Sequence, residues 1–541
     1  MSRSSDLWFV SAAMAKNAKT AADKKELEDL VSALGENRPP LCKSCMEGTR
    51  TTILQDIKNE IKNVNAPNVI WMRGSPGVGK SALAASIVNR LVDQKRHVIP
   101  FRFDRTQSTV TTNALWHTVA CDLARLFPPL RQRLAQGDQR HNSSDINRLF
   151  EMLIEVPLSA LDDTITHEEL PVIVIDALDE CGGLRHDRSG EEDFQSLLHT
   201  LKRWTQVDHL KRFKLVITSR PEDRISQTFP KSISTHIVIP SGSNVKLGDS
   251  PSKDIHAFLK LRLENMGMSD ALIKKALDYL VPRAAGIFIW ATTVADFLKL
   301  DPEGRFAMLE KGDGKGLKGL YPLYSTIVKA SFGHDLEEEE IGAVTSVIGA
   351  MIFAKKPLDD NLLITLPQVK VPDLDVNRLG LIRKGLASVI DSGPILHFHH
   401  RSFEDLLLSK FFQQELPEFS AVQDRGHHER QLAVLCLKTL VSSKLHFNTC
   451  NLESSIIKNV DIPPTVKSII SPLISYSSLF WADHIIQTPS DEKMMKAMKF
   501  VMYEKLLFWL EVMSLTGNVY EAYLILKKAS SWKVCLWVIS L

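Results

Sequence analysis

Apolar residues follow two rhythms along this chain, and the change of rhythm marks its organisation. Between residues 68 and 240 short unbroken apolar runs recur: NVIWM (68–72), HVIPFRF (97–103), PVIVID (171–176), FKLVITS (213–219) and THIVIP (235–240). A strand with one wet face alternates, whereas continuous runs suit strands buried on both faces of a parallel sheet. Helical patterns separate the runs. The spacing therefore predicts an α/β domain: a parallel five-stranded sheet between two helical layers.

Outside this region the period is helical. Residues 1–48 read as a short lead-in with one helix in ADKKELEDLVSAL, ended by the paired prolines of ENRPPLCKSCMEG. TRTTILQDIKNEIKN predicts a second helix, with Thr52 and Gln55 as a capping box and Ile53, Ile57 and Ile61 stacked at i, i+4. After Pro240, SKDIHAFLKLRLENM and ALIKKALDYL are amphipathic, and RAAGIFIWATTVADFL is apolar nearly all round, as a buried helix is. Residues 341–412 offer short helices and then SVIDSGPILHFHH, where DSGP lies between two β-rich segments and predicts a hairpin. Helices followed by a hairpin resemble a winged helix. Only helical patterns follow, HHERQLAVLCLKTLVSS and MYEKLLFWLEVMSL among them. The expected domains are 1–48, a lead-in; 49–240, the α/β domain; 241–335, helical; 336–415, winged-helix-like; and 416–541, all-α. Neither a repeat of 20–50 residues nor a low-complexity tract breaks this plan.

Composition narrows the class. The chain has 541 residues, too many for one ordinary core, with 44% hydrophobic and 24% charged residues, as in soluble globular proteins. A formal net charge of +2 gives no basic excess for nucleic acid and no acidic tail. Seven scattered cysteines do not make a disulfide framework and suit reduced thiols in the cytoplasm. The first residues, MSRSSDLWFV, make a poor signal peptide, because Asp6 opens the apolar run and basic residues follow it. The longest apolar run, IGAVTSVIGAMIFA (341–354), is too short to cross a bilayer at roughly 1.5 Å per residue, so no membrane span is expected.

Chemistry enters at RGSPGVGKSAL (73–83). Gly74, Ser75, Pro76, Gly77, Val78, Gly79, Lys80 and Ser81 fit G-x-x-x-x-G-K-[ST], after a strand and before a helix that continues through Ala82. Glycines let backbone amides close around phosphates, Lys80 reaches the β- and γ-phosphates, and the Ser81 hydroxyl ligates Mg2+. The helix adds its positive N-terminal end.

PVIVIDALDEC supplies a second element. A carboxylate ending a buried strand is costly unless it meets a cation, so Asp176 suits a Mg2+ partner at the edge of the sheet where nucleotides bind. Asp179 and Glu180 follow; one of them orients or deprotonates the attacking water, or the two simply cap the next helix. A third element, KLVITSRPE, brings Thr218, Ser219 and Arg220 to the same edge. Arg220 senses a γ-phosphate or makes a surface salt bridge. Cys42 and Cys45 form a lone C-x-x-C without the further ligands structural zinc needs. His397 and His399 share one face of a strand and read as ordinary strand residues rather than metal ligands.

These residues resemble the NACHT class of STAND nucleotide-binding proteins, and in particular the fungal NACHT proteins that often carry C-terminal WD repeats. The stretches that carry the resemblance are GTR (48–50), GSPGVGKSALAASI, IDALDEC with its small Ala177, ITSRPE, AAGIFIWATT, HHRSFEDLL, LHFNTCNLESS, SYSSLFWADH and KLLFWLEVMSL, in order along most of the chain. The resemblance implies a switch in signal transduction that holds ATP or GTP with Mg2+ between the α/β domain and a winged helix, closed with ADP and open and self-associating with ATP. It implies that His400 faces the β-phosphate and that Arg50 lies near the base. It associates the protein with non-self recognition and cell death.

The chain departs from the pattern in three ways. No glutamate follows Asp176 directly; no WD, ankyrin or TPR array follows residue 515; and about 45 N-terminal residues are short for an effector domain. The apolar end, SSWKVCLWVISL, reads as a truncated or alternative terminus. The leading expectation is a slowly hydrolysing switch. Its rivals are a fast P-loop enzyme such as a phosphotransferase, whose lid would be LRHDRSGEED, and a purely structural relative, against which Lys80, Ser81 and Asp176 argue.

Overall fold

The computed structural model describes residues 25, 27–31, 39–104, 111–136, 145–181, 188–242, 245–246, 248–311, 320–332, 337–366, 375–390, 393, 395–453, 457, 459, 462, 468–489, 491–530 and 532. Most of the N-terminal lead-in, the end of the chain beyond Trp532, residues 184–187 of the lid candidate and three of the four DSGP positions lie outside them. The chain divides into two compact units, Met1–Gly319 and Leu320–Leu541.

The first unit is built on the five expected strands: β1 Val69–Arg73, β2 Val98–Arg102, β3 Val172–Asp176, β4 Leu215–Ser219 and β5 Ser234–Val238. All pair in parallel, in the order β2-β3-β4-β1-β5. Period-2 alternation sends successive residues to opposite faces. Ile70, Met72, Val98, Val172, Val174 and Val216 pack under the helices Thr51–Lys62 and Lys80–Asp93. Val69, Trp71, Ile99, Phe101, Ile173, Ile175 and Ile217 pack on the other face, with the helices Thr112–Leu126 and Arg188–Trp204. There Trp116 and Trp204 stack with ring centroids 6.0 Å apart. Each fully buried Leu, Ile or Val contributes roughly 1.5–3 kcal/mol, which is why both faces read as apolar in the sequence.

Two local expectations are corrected. The helix Thr51–Lys62 has no capping box at Thr52; its N-cap is Arg50, at φ 58° and without a side-chain cap. Arg50 is engaged elsewhere, as described below. The apolar run 283–298 is not one helix either. Ala285 and Gly286 take φ values of 47° and 78°, so Asp270–Ala284 ends there and Phe288–Leu298 begins afresh. Ser250–Glu264 and Pro302–Lys311 belong to the same helical part of the first unit.

The second unit is helical. Leu320–Phe332 packs on Val376–Leu386 and Arg401–Leu407, with Tyr324 edge-on to Phe403 and its hydroxyl 2.9 Å from Ser402 Oγ. Among the described residues the expected hairpin shows one isolated antiparallel bridge, Ile390 with Phe398, and Ile395 bridges to Asp359 outside it. Helices Arg425–Val441 and Pro472–Ile485 form the most extensive helix pair of the unit. A buried polar chain crosses it. The Tyr476 hydroxyl donates to His484 Nε2 at 2.8 Å, His484 Nδ1 donates to Glu429 Oε2 at 2.6 Å, and Lys355 Nζ donates to Glu429 Oε1 at 3.2 Å. No described helix is long and apolar enough to cross a membrane.

Candidate functional site

Parallel strands deliver their C-terminal ends to one edge of the sheet, and the candidate residues gather there. The loop after β1 turns through Gly77 at φ 76° and Gly79 at φ 94°, conformations that a Cβ disfavours. Gly79 caps the helix Lys80–Asp93 without a side chain, which leaves the first amides of the helix for a ligand. Lys80 Nζ donates to the carbonyls of Gly74 at 2.9 Å and Ser75 at 3.1 Å, folding the lysine over its own loop. Burial pulls the Lys80 ammonium below its ordinary range, opposed by the charges of Asp179, Asp176 and Glu180.

The strand order sets the rest. β4 lies between β1 and β3, so Thr218 to Arg220 emerge between the phosphate loop and Asp176. Asp176 is fully buried. Thr218 Oγ1 donates to its Oδ1 at 2.5 Å and accepts from the Ala177 amide at 2.9 Å. Ala177 itself sits at φ 58°, an uncommon conformation for a residue with a Cβ. Asp176 Oδ2 is buried with no hydrogen-bond partner. Burial pushes this carboxyl up, while the hydroxyls of Thr218 and Ser81 and the charges of Arg102 and Lys80 pull it down. An orphaned carboxylate oxygen beside a serine hydroxyl and a lysine is a fitting donor set for a hard divalent cation with phosphate ligands.

Asp179 and Glu180 lie on a single 3-10 turn, Leu178–Glu180. Asp179 is committed: its Oδ1 accepts from the Arg220 amide at 3.0 Å, and its Oδ2 lies 3.3 Å from Arg220 Nε. Glu180 is half-buried. Arg220 is therefore held at the edge by Asp179.

Arg50 reaches the loop from 28 residues upstream. Its Nη2 donates to the Val78 carbonyl at 2.7 Å, its guanidinium lies 4.7 Å from the Phe288 ring centroid, and its backbone amide donates to Asp254 at 3.2 Å. Burial lowers its pKa, and Asp254 opposes that. His400 belongs to the second unit. It caps the helix Arg401–Leu407 by accepting from the Ser402 amide at Nδ1, 3.1 Å away. Nδ1 is thus an acceptor, so the neutral ring carries its proton on Nε2.

Several participants escape a reading by motifs. Arg102 ends β2 in register with Asp176, its Nε 3.8 Å from Asp176 Oδ2. Its signal is the one that marked Asp176: a charge closing an apolar strand, in HVIPFRF. Thr218 stood in ITSR, but its bond to Asp176 spans 42 residues. Asp254 carries no local signal, and Phe288 and Ile289 were legible only as members of the apolar run AAGIFIWATT.

Comparison with known proteins finds similarity along most of the chain. The model of the family "Nephrocystin 3, N-terminal" matches residues 48–220. The vegetative incompatibility protein HET-E-1 of Podospora anserina is 24% identical over 483 residues, 83% of this chain and 33% of that protein. The chain thus spans about a third of the length of this relative. A STAND protein with a tetratricopeptide repeat sensor from Pyrococcus horikoshii covers 92% of this chain at 12% identity and a TM-score of 0.33. A Walker-type ATPase of Pyrococcus abyssi covers 69% of it at 13% identity and a TM-score of 0.32. The family model covers the phosphate-loop region, and the fungal relative extends the similarity along most of the chain, in keeping with the resemblance to NACHT-type P-loop proteins.

Proposed function

We propose that this chain, taken as a STAND NTPase of the NACHT type, is a nucleotide-operated switch that binds ATP or GTP with Mg2+ and hydrolyses it slowly. The observation that carries the reading is the buried Asp176 Oδ2, without a hydrogen-bond partner, at the sheet edge where the phosphate loop opens. Lys80 exchanges the Gly74 and Ser75 carbonyls for phosphate oxygens, and the amides of 77–81 donate to them. Ser81 and Asp176 hold Mg2+, which neutralises phosphate charge. Glu180 orients the attacking water. Arg220, steadied by Asp179, senses the γ-phosphate, and Arg50 stiffens the loop from behind through Val78.

Residues 336–415 act as the winged-helix-like closing domain after the helical segment 241–335, and 416–541 as the helical arm. His400 donates from Nε2 to the β-phosphate of bound ADP. Release of that bond opens the protein and lets copies associate. We propose that the switch acts in non-self recognition or cell-death signalling, which the likeness to a vegetative incompatibility protein supports, and that it works in the cytoplasm.

The test is to purify the protein, denature it and identify the nucleotide released. Retained ADP or GDP is the expected result, and Lys80→Ala protein should come out empty while keeping its thermal midpoint. An empty wild-type site that turns over many nucleotides per minute would overturn the switch in favour of an enzyme.

A further inference from the structure

The segment before the GTR motif, residues 39–48, is not a loose leader. It runs along the phosphate-loop helix, and its first residues reach Arg102, the neighbour of Asp176. At one end Arg102 Nη1 donates to the Pro40 carbonyl at 3.4 Å. Leu41 and Cys45 pack against the core between Thr51–Lys62 and Lys80–Asp93. The Cys45 amide donates to Ser86 Oγ at 2.9 Å, and Asn89 Nδ2 donates to Ser44 Oγ at 2.8 Å; both partners lie on the phosphate-loop helix. The far end is fixed by buried Thr49 and by Arg50, whose hydrogen bonds to Val78 and Asp254 are described above.

One residue joins the first contact to the metal site. The guanidinium that holds the Pro40 carbonyl is the same one whose Nε lies 3.8 Å from Asp176 Oδ2. Neither Arg102 Nε nor Asp176 Oδ2 makes a hydrogen bond, so the two are linked by charge alone. The Cys42 thiol senses the same group of charges: burial pushes it up, Arg102 pulls it down, and Asp176, Glu180 and Asp104 push it up. A divalent cation on Asp176 neutralises the charge that holds Arg102 and repels the guanidinium at short range. Arg102 has somewhere to go, because about a quarter of its side chain (24%) is exposed.

We propose that Arg102 is a positioning residue that couples the charge state of Asp176 to the N-terminal strap: with Asp176 bare, Arg102 pins residues 40–45 to the phosphate-loop helix, and with a cation on Asp176 it lets them go. Whatever precedes residue 39 is thereby told whether the metal site is filled. The inference rests on the proposed Mg2+ role of Asp176, but its core, the Asp176–Arg102–Pro40 chain, can be tested without nucleotide.

Hydrogen exchange read by mass spectrometry over residues 41–47, with 49–54 as the internal reference, tests it. In nucleotide-free protein, Asp176→Asn and Arg102→Gln should each speed exchange of 41–47 about tenfold and leave 49–54 unchanged. Arg102→Lys, which keeps the charge, should restore part of the protection. In wild type, Mg2+ with ADP should speed the same peptide, while ADP with a chelator should not. In Arg102→Gln, Mg2+ with ADP should add nothing. Binding of a fluorescent ADP analogue is followed in the same samples. If the analogue does not bind, the proposed function fails, yet the two nucleotide-free variants still decide the coupling. If 41–47 exchange at the wild-type rate in both variants, Arg102 is a surface salt-bridge partner and the strap is fixed by the phosphate-loop helix alone, which overturns the inference.

Discussion

The carbonyl of Gly77 accepts a hydrogen bond from the Ile289 amide at 2.9 Å, and a Cβ placed on Gly77 would lie 2.0 Å from Ile289 Cγ2. The phosphate loop is thus closed from behind by the start of the helix Phe288–Leu298, 212 residues later in the chain. Two demands fall on one glycine, a positive φ and the absence of a side chain. Gly77→Ala should cost about 2–4 kcal/mol, from left-handed backbone strain and overpacking together. Removing the Ile289 side chain should recover the packing share. A urea-denaturation cycle over Gly77→Ala, Ile289→Ala and the double variant should show a coupling of about 1 kcal/mol or more. Strict additivity would mean that the contact is loose.

Asp179 and Glu180 are neighbours with separate work. Asp179 carries Arg220 through two contacts, whereas Glu180 sits half-buried at the site. Glu180→Gln should leave nucleotide affinity within about twofold and slow single-turnover hydrolysis on the order of a hundredfold, the usual scale of a lost general base. Asp179→Asn should instead weaken discrimination between ATP and ADP, because it frees Arg220. Wild-type hydrolysis in Glu180→Gln would move the base elsewhere.

His400 does two things in the proposed closed state, and two substitutions separate them. Its Nδ1 caps a helix, a role that Asp performs as well and Ala does not. A hydrogen bond from Nε2 to a charged phosphate is worth about 1.5–3 kcal/mol, or roughly ten- to a hundredfold in ADP release. His400→Ala should lose both the bond and about 1 kcal/mol of cap stability. His400→Asp should keep the cap and still release ADP at least tenfold faster in stopped-flow measurements, with larger assemblies by light scattering. Should the Asp variant hold ADP as long as wild type, His400 is a helix cap and no more.

The buried chain in the second unit predicts acid sensitivity. Burial would raise the Glu429 carboxyl, but His484 and Lys355 outweigh it and hold it below 4.5. Burial holds the His484 imidazole below 6.5 against the pull of Glu429. Arg425 also lies beside Glu429, 3.5 Å from its Oε1, the Asp483 charge pulls His484 upward, and the uncharged Tyr476 hydroxyl faces His484. Both shifted groups have folded pKa values below their unfolded ones. Their stabilisation is present above the unfolded value and is lost as pH falls through the folded one. Denaturation midpoints should therefore start to drop below pH 6.5 and steepen below 4.5. Glu429→Gln should destabilise by about 3 kcal/mol at pH 7, because it leaves Lys355 poorly paired. A flat profile between pH 7 and 5 would show that His484 contributes nothing there.

What the sequence determined by itself is what lies close along the chain. Strands β1 to β4 were legible as apolar runs because both of their faces are buried, and β5, half-exposed at the edge of the sheet, was legible from the run HIVIP alone. The phosphate loop was legible because its glycines, Lys80 and Ser81 act within eight consecutive positions. Asp176 was legible because a carboxylate at the end of a buried strand asks for a partner. The capping box at Thr52 misled for a local reason: the start of that helix is set by Arg50, which answers to Asp254 and Val78 rather than to its neighbours.

Only the tertiary structure decided the partners. The strand order put Thr218 beside Asp176 and Arg102 in register with it. The turn at Ala285 and Gly286 aimed the next helix at Gly77. Periodicity reports which face of an element is apolar, since burial averages over many neighbours and any of them will do. A hydrogen bond between residues 204 positions apart, such as that from the Arg50 amide to Asp254, depends on one pair of atoms, and that pair exists only once the intervening helices have packed.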